Sequence, residues 1–128
     1  MKRILVVDDD HELASLLAFA LQRQGYVVEL ATNGSDALER VRRARFDAVL
    51  VDWTMPVMDG AALLRACRRE AGTSTLPVVV VSGVPKAATQ ALRLGAAAVV
   101  AKPFRFDELE QLLAHLIDAP ESEAGCQC

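Results

Sequence analysis

The sequence lacks a long apolar run, an excess of positive charge and a large set of cysteines. Because its apolar stretches are far shorter than the roughly 20 residues that span a bilayer, we expect no membrane-spanning helix. The first of them, residues 4–7, ends at once in acids, which is not the pattern of a signal peptide. The formal net charge of -3 argues against a nucleic-acid-binding surface.

Three cysteines do not make a disulfide framework, and they indicate a reducing, cytoplasmic setting. Cys67 lies in a helical pattern, where we expect it to pack as a small apolar residue. Cys126 and Cys128 lie in the polar segment 119–128, which we interpret as a disordered tail or the start of a linker. A Cys-x-Cys pair can bind a metal, but a frayed terminus is the favoured interpretation.

Strand-like and helix-like patterns alternate five times along residues 1–118, which we expect to form one domain. A hydrophobic content of 52% with 24% charged residues is typical of a globular chain. Glu29 indicates that the second strand lies near an edge of the sheet. The predicted strands are residues 3–8, 26–31, 48–52, 77–82 and 98–102.

Apolar residues at helical spacing predict the helices between these strands. We expect a turn at Asn33-Gly34, a short fourth helix that ends at Gly95, and Asp107 as the N-cap of the last helix. The inward-facing residues predicted for the first helix are Leu13, Leu16, Leu17, Ala20 and Leu21. The arginines interpreted as solvated helix faces are Arg40, Arg42, Arg43, Arg65, Arg68 and Arg69.

Alternating strands and helices with right-handed crossovers form a parallel sheet that helices cover on both faces. Five such units are too few to close an eight-stranded barrel. We therefore predict an α/β fold, a three-layer α/β/α sandwich whose five-stranded parallel sheet has the flavodoxin-like strand order 2-1-3-4-5.

Polar side chains stand at the carboxyl ends of four predicted strands: Asp8, Asp9 and Asp10 at the first, Asp52 at the third, Ser82 at the fourth and Lys102 at the fifth. Each has an ordinary structural explanation, such as helix capping or a solvated strand end. Open α/β sheets bind ligands at this edge, however, so the coincidence favours a site.

The chemistry of such a site follows from its charges. Two carboxylates about 4 Å apart repel by roughly 4 kcal/mol at an effective dielectric near 20. Such a cluster persists where a hard cation neutralises it, and all-oxygen ligands suit Mg²⁺. A carboxylate such as Asp52 beside Mg²⁺, the Lys102 ammonium and the Ser82 hydroxyl is a phosphoryl-acceptor site in which the carboxylate is the nucleophile.

These motifs resemble the receiver domain of two-component response regulators, in particular stand-alone receivers like those of chemotaxis. The matching segments are ILVVDD at 4–9, VDWTMPVMDG at 51–60, Ser82, Gly95-Ala96 and KPF at 102–104. The resemblance implies a signalling phosphoacceptor and not an enzyme. It also implies a sensor histidine kinase or phosphotransfer protein as the donor and a downstream protein target or effector domain.

The resemblance further implies a role for individual residues. Asp52 is the phosphoacceptor, and Ser82 and Lys102 bind the phosphoryl group. The Lys102–Pro103 peptide bond is expected to be cis. The implied Mg²⁺ ligands are Asp8, Asp9, Asp52 and the backbone carbonyl of Thr54.

The chain departs from the receiver pattern at the position that commonly carries a switch aromatic, which is Val99 here. The segment between Ser82 and Gly95 is also about two residues shorter than usual. Since Val99 has no ring to swing, we expect Ser82 to report phosphorylation mainly by shifting or ordering residues 83–94.

Two alternatives remain, a phosphatase and a binding module, and a third, a flavin-binding protein, is excluded. A haloacid-dehalogenase-like phosphatase would use Asp8 as its nucleophile, but His11 and the lack of a later acidic pair argue against it. A receiver-like binding module that is never phosphorylated would not need Ser82 and Lys102. A flavin-binding protein would have a phosphate loop where this chain has an acidic triplet.

Overall fold

Five strands and five helices alternate along residues 1–55 and 57–118, the parts of the chain that the computed structural model describes. The strands are β1 (Arg3–Val7), β2 (Val27–Ala31), β3 (Ala48–Asp52), β4 (Val78–Ser82) and β5 (Ala98–Ala101). The helices are α1 (His11–Arg23), α2 (Gly34–Arg43), α3 (Gly60–Arg69), α4 (Ala87–Arg93) and α5 (Phe106–Asp118). None of these helices is long and apolar enough to cross a membrane.

The sheet is parallel throughout and has the order β2-β1-β3-β4-β5, which confirms the predicted fold. The central strands are continuous apolar runs because helices cover them on both faces. Glu29 lies on the edge strand β2, as predicted, where it pairs with Arg3 and Arg40. The predicted tail and its two cysteines lie outside the described residues.

Alternate residues of each strand point to opposite faces of the sheet and pack in two separate cores. On one face α2, α3 and α4 pack on β1, β3 and β4, and on the other face α1 and α5 do so. Cys67 is buried in the first core, as the sequence predicts. The sheet is thus clamped between two apolar layers, and its carboxyl edge is held rigidly.

Three local predictions were wrong. Leu16 is 67% exposed, because Ala14, Leu17, Ala18 and Leu21 form the inward stripe of α1 and Leu16 falls outside it. Asn33-Gly34 is a helix start and not a turn, since the Asn33 side chain accepts a hydrogen bond from the backbone N–H of Asp36. Asp107 is not the N-cap, because α5 already begins at Phe106.

The interpretation of the arginines as solvated was wrong for Arg68, whereas Arg42 is exposed as predicted. Arg40 pairs with Glu29 and Asp36, and Arg42 forms two hydrogen bonds to the carboxylate of Glu70. Arg68 is partly buried and donates to backbone carbonyls of two loops. Helical spacing places these side chains on outer faces, but their length lets them reach neighbouring elements.

The contrast between two leucines of α1 tests the corrected helix face. Leu21→Ala removes a fully buried side chain and should lower the free energy of unfolding by about 2–5 kcal/mol. Leu16→Ala should change it by about 0.5 kcal/mol or less, since that side chain already contacts solvent. Urea denaturation of both variants measures the difference, and equal losses would place Leu16 in the core.

Candidate functional site

Three carboxylates meet at the carboxyl edge of the sheet. Asp8 and Asp9 follow β1, and Asp52 is the last residue of β3, the strand that pairs with β1. One carboxylate oxygen from each lies within 4.8 Å of the others. The predicted cluster is therefore present, because adjacent parallel strands end side by side.

Asp8 is the most confined of the three, with 6% of its surface exposed. Its burial raises the pKa of the carboxyl group, and the negative charges of Asp52 and Asp9 raise it further. A hydrogen bond from the Asp10 backbone N–H, at 2.9 Å, and the charge of Lys102 oppose this change in pKa. The net pKa of Asp8 is raised, chiefly by burial, so ionising this carboxyl group costs free energy in the folded protein.

Asp10 has a different task from its neighbours. Its side chain caps α1 by accepting hydrogen bonds from the backbone N–H groups of Glu12 and Leu13, at 3.1 and 3.2 Å. Asp10 is also exposed, and it is not part of the carboxylate cluster. The acidic triplet thus divides into two clustered carboxylates and one helix cap.

Lys102 is the cation nearest the acceptor candidate among the described residues. Its Nζ lies 3.4 Å from Oδ1 of Asp52, and its backbone N–H extends the β4–β5 ladder by donating to the carbonyl of Ser82 at 2.9 Å. The Lys102–Pro103 peptide bond is cis, as predicted. The Asp52 side chain remains 12% exposed, so it is in contact with solvent.

Ser82 lies at the end of β4 but faces its own loop. Its hydroxyl accepts a hydrogen bond from the backbone N–H of Val84 at 2.9 Å and donates one to the Val84 carbonyl at 3.4 Å. Its described hydrogen bonds do not include Asp52. The structure therefore gathers the three acids and Lys102, while the described hydrogen bonds of the Ser82 hydroxyl are to Val84.

Thr54 and Val99, two further residues singled out in the sequence, lie in the loop after β3 and in β5. Thr54 is exposed in the loop between β3 and α3, two residues beyond Asp52. Val99 is half-buried in β5, pairs with Val80 of β4 and packs against the core that also contains α3. The ligand role of the Thr54 carbonyl stays a prediction.

Gly60 is a site residue that sequence reasoning missed. It opens α3 and donates its N–H to the carbonyl of Trp53 at 3.1 Å. A Cβ on Gly60 would lie 2.9 Å from the Asp52 carbonyl oxygen and 3.0 Å from the Trp53 Cα. No larger residue fits, so α3 begins directly against the backbone of the acceptor candidate. The Asp59-Gly60 pair after the Met-Pro turn is the signal for it in the sequence.

Residues 4–114 match the sequence model of the response regulator receiver domain. The chain is 40% identical over 124 residues to the transcriptional regulatory protein ZraR of Escherichia coli O157:H7. The aligned residues cover 91% of this chain and 28% of that protein. It is 40% identical over 103 residues to a response regulator receiver protein of Anaeromyxobacter, covering 80% of this chain and 43% of that protein. The chain spans less than half the length of these relatives.

Two solved structures extend the similarity to the fold. The chemotaxis protein CheY4 of Vibrio cholerae matches with a TM-score of 0.84 and 30% identity, over 91% of this chain and 98% of that one. The receiver domain of a sensor histidine kinase from Pseudomonas aeruginosa matches with a TM-score of 0.86 and 28% identity, over 92% of this chain and 98% of that one. That second structure has a magnesium ion coordinated in its active site cleft.

Removal of one clustered charge should stabilise the metal-free protein. Asp8→Asn keeps an oxygen for the Asp10 N–H but abolishes the desolvated charge, so we expect a gain on the order of 1 kcal/mol at neutral pH. Because folding raises the pKa of Asp8, the wild type loses stability as pH rises through that raised value. The gain should therefore shrink as the pH is lowered toward 3.8.

Thermal unfolding in a chelating buffer between pH 4 and 8 measures this gain. Asp10→Asn is the matched control, because asparagine also caps helices and Asp10 lies outside the cluster. An Asp8→Asn variant that is less stable than the wild type at pH 8 would contradict a repulsive cluster.

Proposed function

Because the chain belongs to the response regulator receiver family, we propose that Asp52 accepts a phosphoryl group from a phosphohistidine of a partner protein. One observation carries the assignment: Asp52 alone among the three clustered acids lies within ion-pair distance of Lys102, in the described residues. A cation at that place offsets charge on the oxygens of a transferring phosphoryl group.

The proposed transfer forms one bond and breaks another. A carboxylate oxygen of Asp52 attacks phosphorus, the phosphorus–nitrogen bond of the phosphohistidine breaks, and the imidazole nitrogen leaves with its electron pair. The product is an aspartyl phosphate. Since Asp52 itself becomes the product, the domain is a signalling phosphoacceptor and assists its own phosphorylation and dephosphorylation without acting on a separate substrate.

The residues of the site fit Mg²⁺. Carboxylates of Asp8, Asp9 and Asp52 converge within 4.8 Å, and burial together with the neighbouring negative charges raises the pKa of Asp8. Hard divalent cations prefer such oxygen ligands, and the Thr54 carbonyl is the proposed fourth. When bound, Mg²⁺ would neutralise the cluster and the incoming phosphoryl oxygens.

Ser82 is the proposed switch residue. Its hydroxyl now accepts a hydrogen bond from the Val84 N–H, within its own loop. A phosphoryl group on Asp52 adds acceptor oxygens at the same edge of the sheet, and the hydroxyl can donate to one of them. Turning toward that oxygen would break the bond to Val84 and release the start of the segment 83–94.

The alternative functions find less support in the geometry. A phosphatase with Asp8 as its nucleophile would attack with the most buried acid of the cluster, while Lys102 pairs with Asp52 instead. A receiver-like module that is never phosphorylated would not need α3 to begin directly against Asp52. That close contact is possible because Gly60 has no side chain. We therefore retain the phosphoacceptor.

The partners follow from the chemistry. We propose a sensor histidine kinase or phosphotransfer protein as the donor, and a downstream protein or effector domain as the reader. The proposed setting is the cytoplasm, where a free thiol such as Cys67 stays reduced. We also propose that residues 1–118 form one receiver unit, since all of the described strands and helices lie within them.

Phosphorylation of Asp52 is directly measurable. Incubation with Mg²⁺ and a small phosphodonor, or with a phosphorylated histidine kinase, should add one phosphate to the intact mass. Asp52→Asn should abolish the addition, because an amide is not a nucleophile at this position. Asp10→Asn should retain it, because Asp10 only caps α1. A label that maps to Asp8 would support the phosphatase instead.

Mg²⁺ should stabilise the folded protein, because the unfolded chain has no assembled acid cluster. At a hundred times its dissociation constant the gain is about 2.7 kcal/mol. Asp9→Ala should remove the dependence of the melting temperature on Mg²⁺, whereas Asp59→Ala, which alters an acidic cap outside the cluster, should retain it. Equal shifts in wild type and Asp9→Ala would place the ion elsewhere.

A further inference from the structure

The guanidinium of Arg68 joins three segments of the chain. From the last turn of α3, Nε and Nη2 donate to the carbonyl of Gly95 at 3.0 and 2.9 Å. Nη1 donates to the carbonyls of Thr73 and Ser74, each at 3.2 Å. Arg68 thereby ties α3 both to the loop that leads into β4 and to the turn between α4 and β5.

The described partners of Arg68 are all carbonyls, and its described contacts include no carboxylate. Burial lowers the pKa of the guanidinium, although an arginine remains charged at any ordinary pH. A charged donor forms stronger hydrogen bonds to carbonyls than a neutral donor does. The planar fork also fixes the direction of approach, which a lysine does not. These contacts form a directional link and not a solvated charge.

Gly95 is shaped to receive this link. Its φ of +103° is a conformation that side chains rarely adopt. A Cβ there would also lie 2.9 Å from Nε, 3.1 Å from Cδ and 3.2 Å from Cγ of Arg68. The arginine stem therefore lies directly on the glycine backbone, and both residues are needed for the contact.

The rest of α4 is held loosely. The helix has seven residues, of which Ala87 and Ala91 are buried, and Lys86 provides no side-chain cap. Its amino-terminal side follows the exposed Val84, whose N–H is bonded to the Ser82 hydroxyl. Its carboxyl-terminal side ends in the turn that Arg68 holds. The two ends of α4 are thus attached by different means.

The other end of α3 meets the phosphoacceptor site. Gly60, the first residue of this helix, lies against the backbone of Asp52 and Trp53. Ten residues of helix, about 15 Å long, separate that contact from the turn that contains Arg68. One rigid element therefore connects Asp52 with the carboxyl-terminal end of α4.

We propose that Arg68 is a positioning residue that anchors the carboxyl-terminal end of α4, so that the helix pivots about Gly95 when Asp52 is phosphorylated. This inference rests on the proposed phosphorylation of Asp52. When the Ser82 hydroxyl turns to the phosphoryl group, it releases the Val84 N–H and with it the amino-terminal end of α4. The anchored end stays in place, so the helix changes its tilt and not its position along the sheet.

Hydrogen exchange with and without a beryllofluoride phosphate mimic tests the pivot. In the wild type, amide exchange rates of residues 84–88 should change at least tenfold, and those of residues 95–97 less than twofold. Arg68→Met removes every donor but keeps an unbranched stem. Beryllofluoride should then change exchange rates along the whole of α4, including residues 95–97.

Arg69→Met is the matched control, because Arg69 is exposed on the same helix and donates only within it, to the Arg65 carbonyl. It should reproduce the wild-type pattern. Arg68→Lys keeps the charge but not the fork, and should behave like Arg68→Met. It also serves as the second variant should Arg68→Met fail to fold.

Fluorescence of Trp53, the one tryptophan of the sequence, reports mimic binding in each protein. An Arg68→Met pattern identical to that of the wild type would overturn the pivot, as would equal wild-type changes at both ends of α4. In both cases the mimic still binds, so the phosphoacceptor assignment stands. Absence of any fluorescence or exchange response in the wild type would instead overturn the phosphoacceptor assignment, and the pivot with it.

Discussion

The mutual repulsion of Asp8, Asp9 and Asp52 is the constraint on which the rest of the structure depends. Burial, together with the charges of Asp52 and Asp9, raises the pKa of Asp8 despite the opposing effects of Lys102 and the Asp10 N–H. The fold therefore has to hold the acids together by other means. It does so with β1 and β3, adjacent strands whose residues are almost entirely buried between two apolar layers. Burial of the apolar strand residues thus brings the three carboxylates together although they repel one another. A cation bound among them would relieve that repulsion.

The fold and most of the site were predictable because both depend on patterns along the chain. Buried parallel strands read as continuous apolar runs, and their carboxyl ends meet at one edge, so strand-ending acids had to converge. The failures have one physical cause. The exposure of Leu16, the orientation of the Ser82 hydroxyl and the reach of Arg68 depend on which neighbours the tertiary structure supplies. Periodicity places a residue on a helix face but does not say what a long side chain contacts there.

Rigidity is distributed unevenly around the site. The helix α3 begins directly against the backbone of Asp52 through a glycine that leaves no room for a side chain, whereas α4 buries two alanines and little else. An event at Asp52 can shift a conformational equilibrium only by the difference in its interaction energy between the two states. The element that responds is therefore the one with the lowest cost of rearrangement. In this chain α4 buries few side chains, and it is the element that we propose responds.

Because Val99 replaces the usual switch aromatic, the difference in rigidity between α3 and α4 matters more in this chain. A β-branched side chain has few rotamers, and Val99 packs against a core that already includes α3. β5 therefore has no side chain that can swing between two positions in response to Ser82. If Arg68 did not hold its carboxyl-terminal end, α4 could respond to movement of the Ser82 loop by sliding along the sheet. In the proposed pivot Arg68 holds Gly95, so movement of the Ser82 loop would rotate α4 and change which face of the helix a partner protein meets.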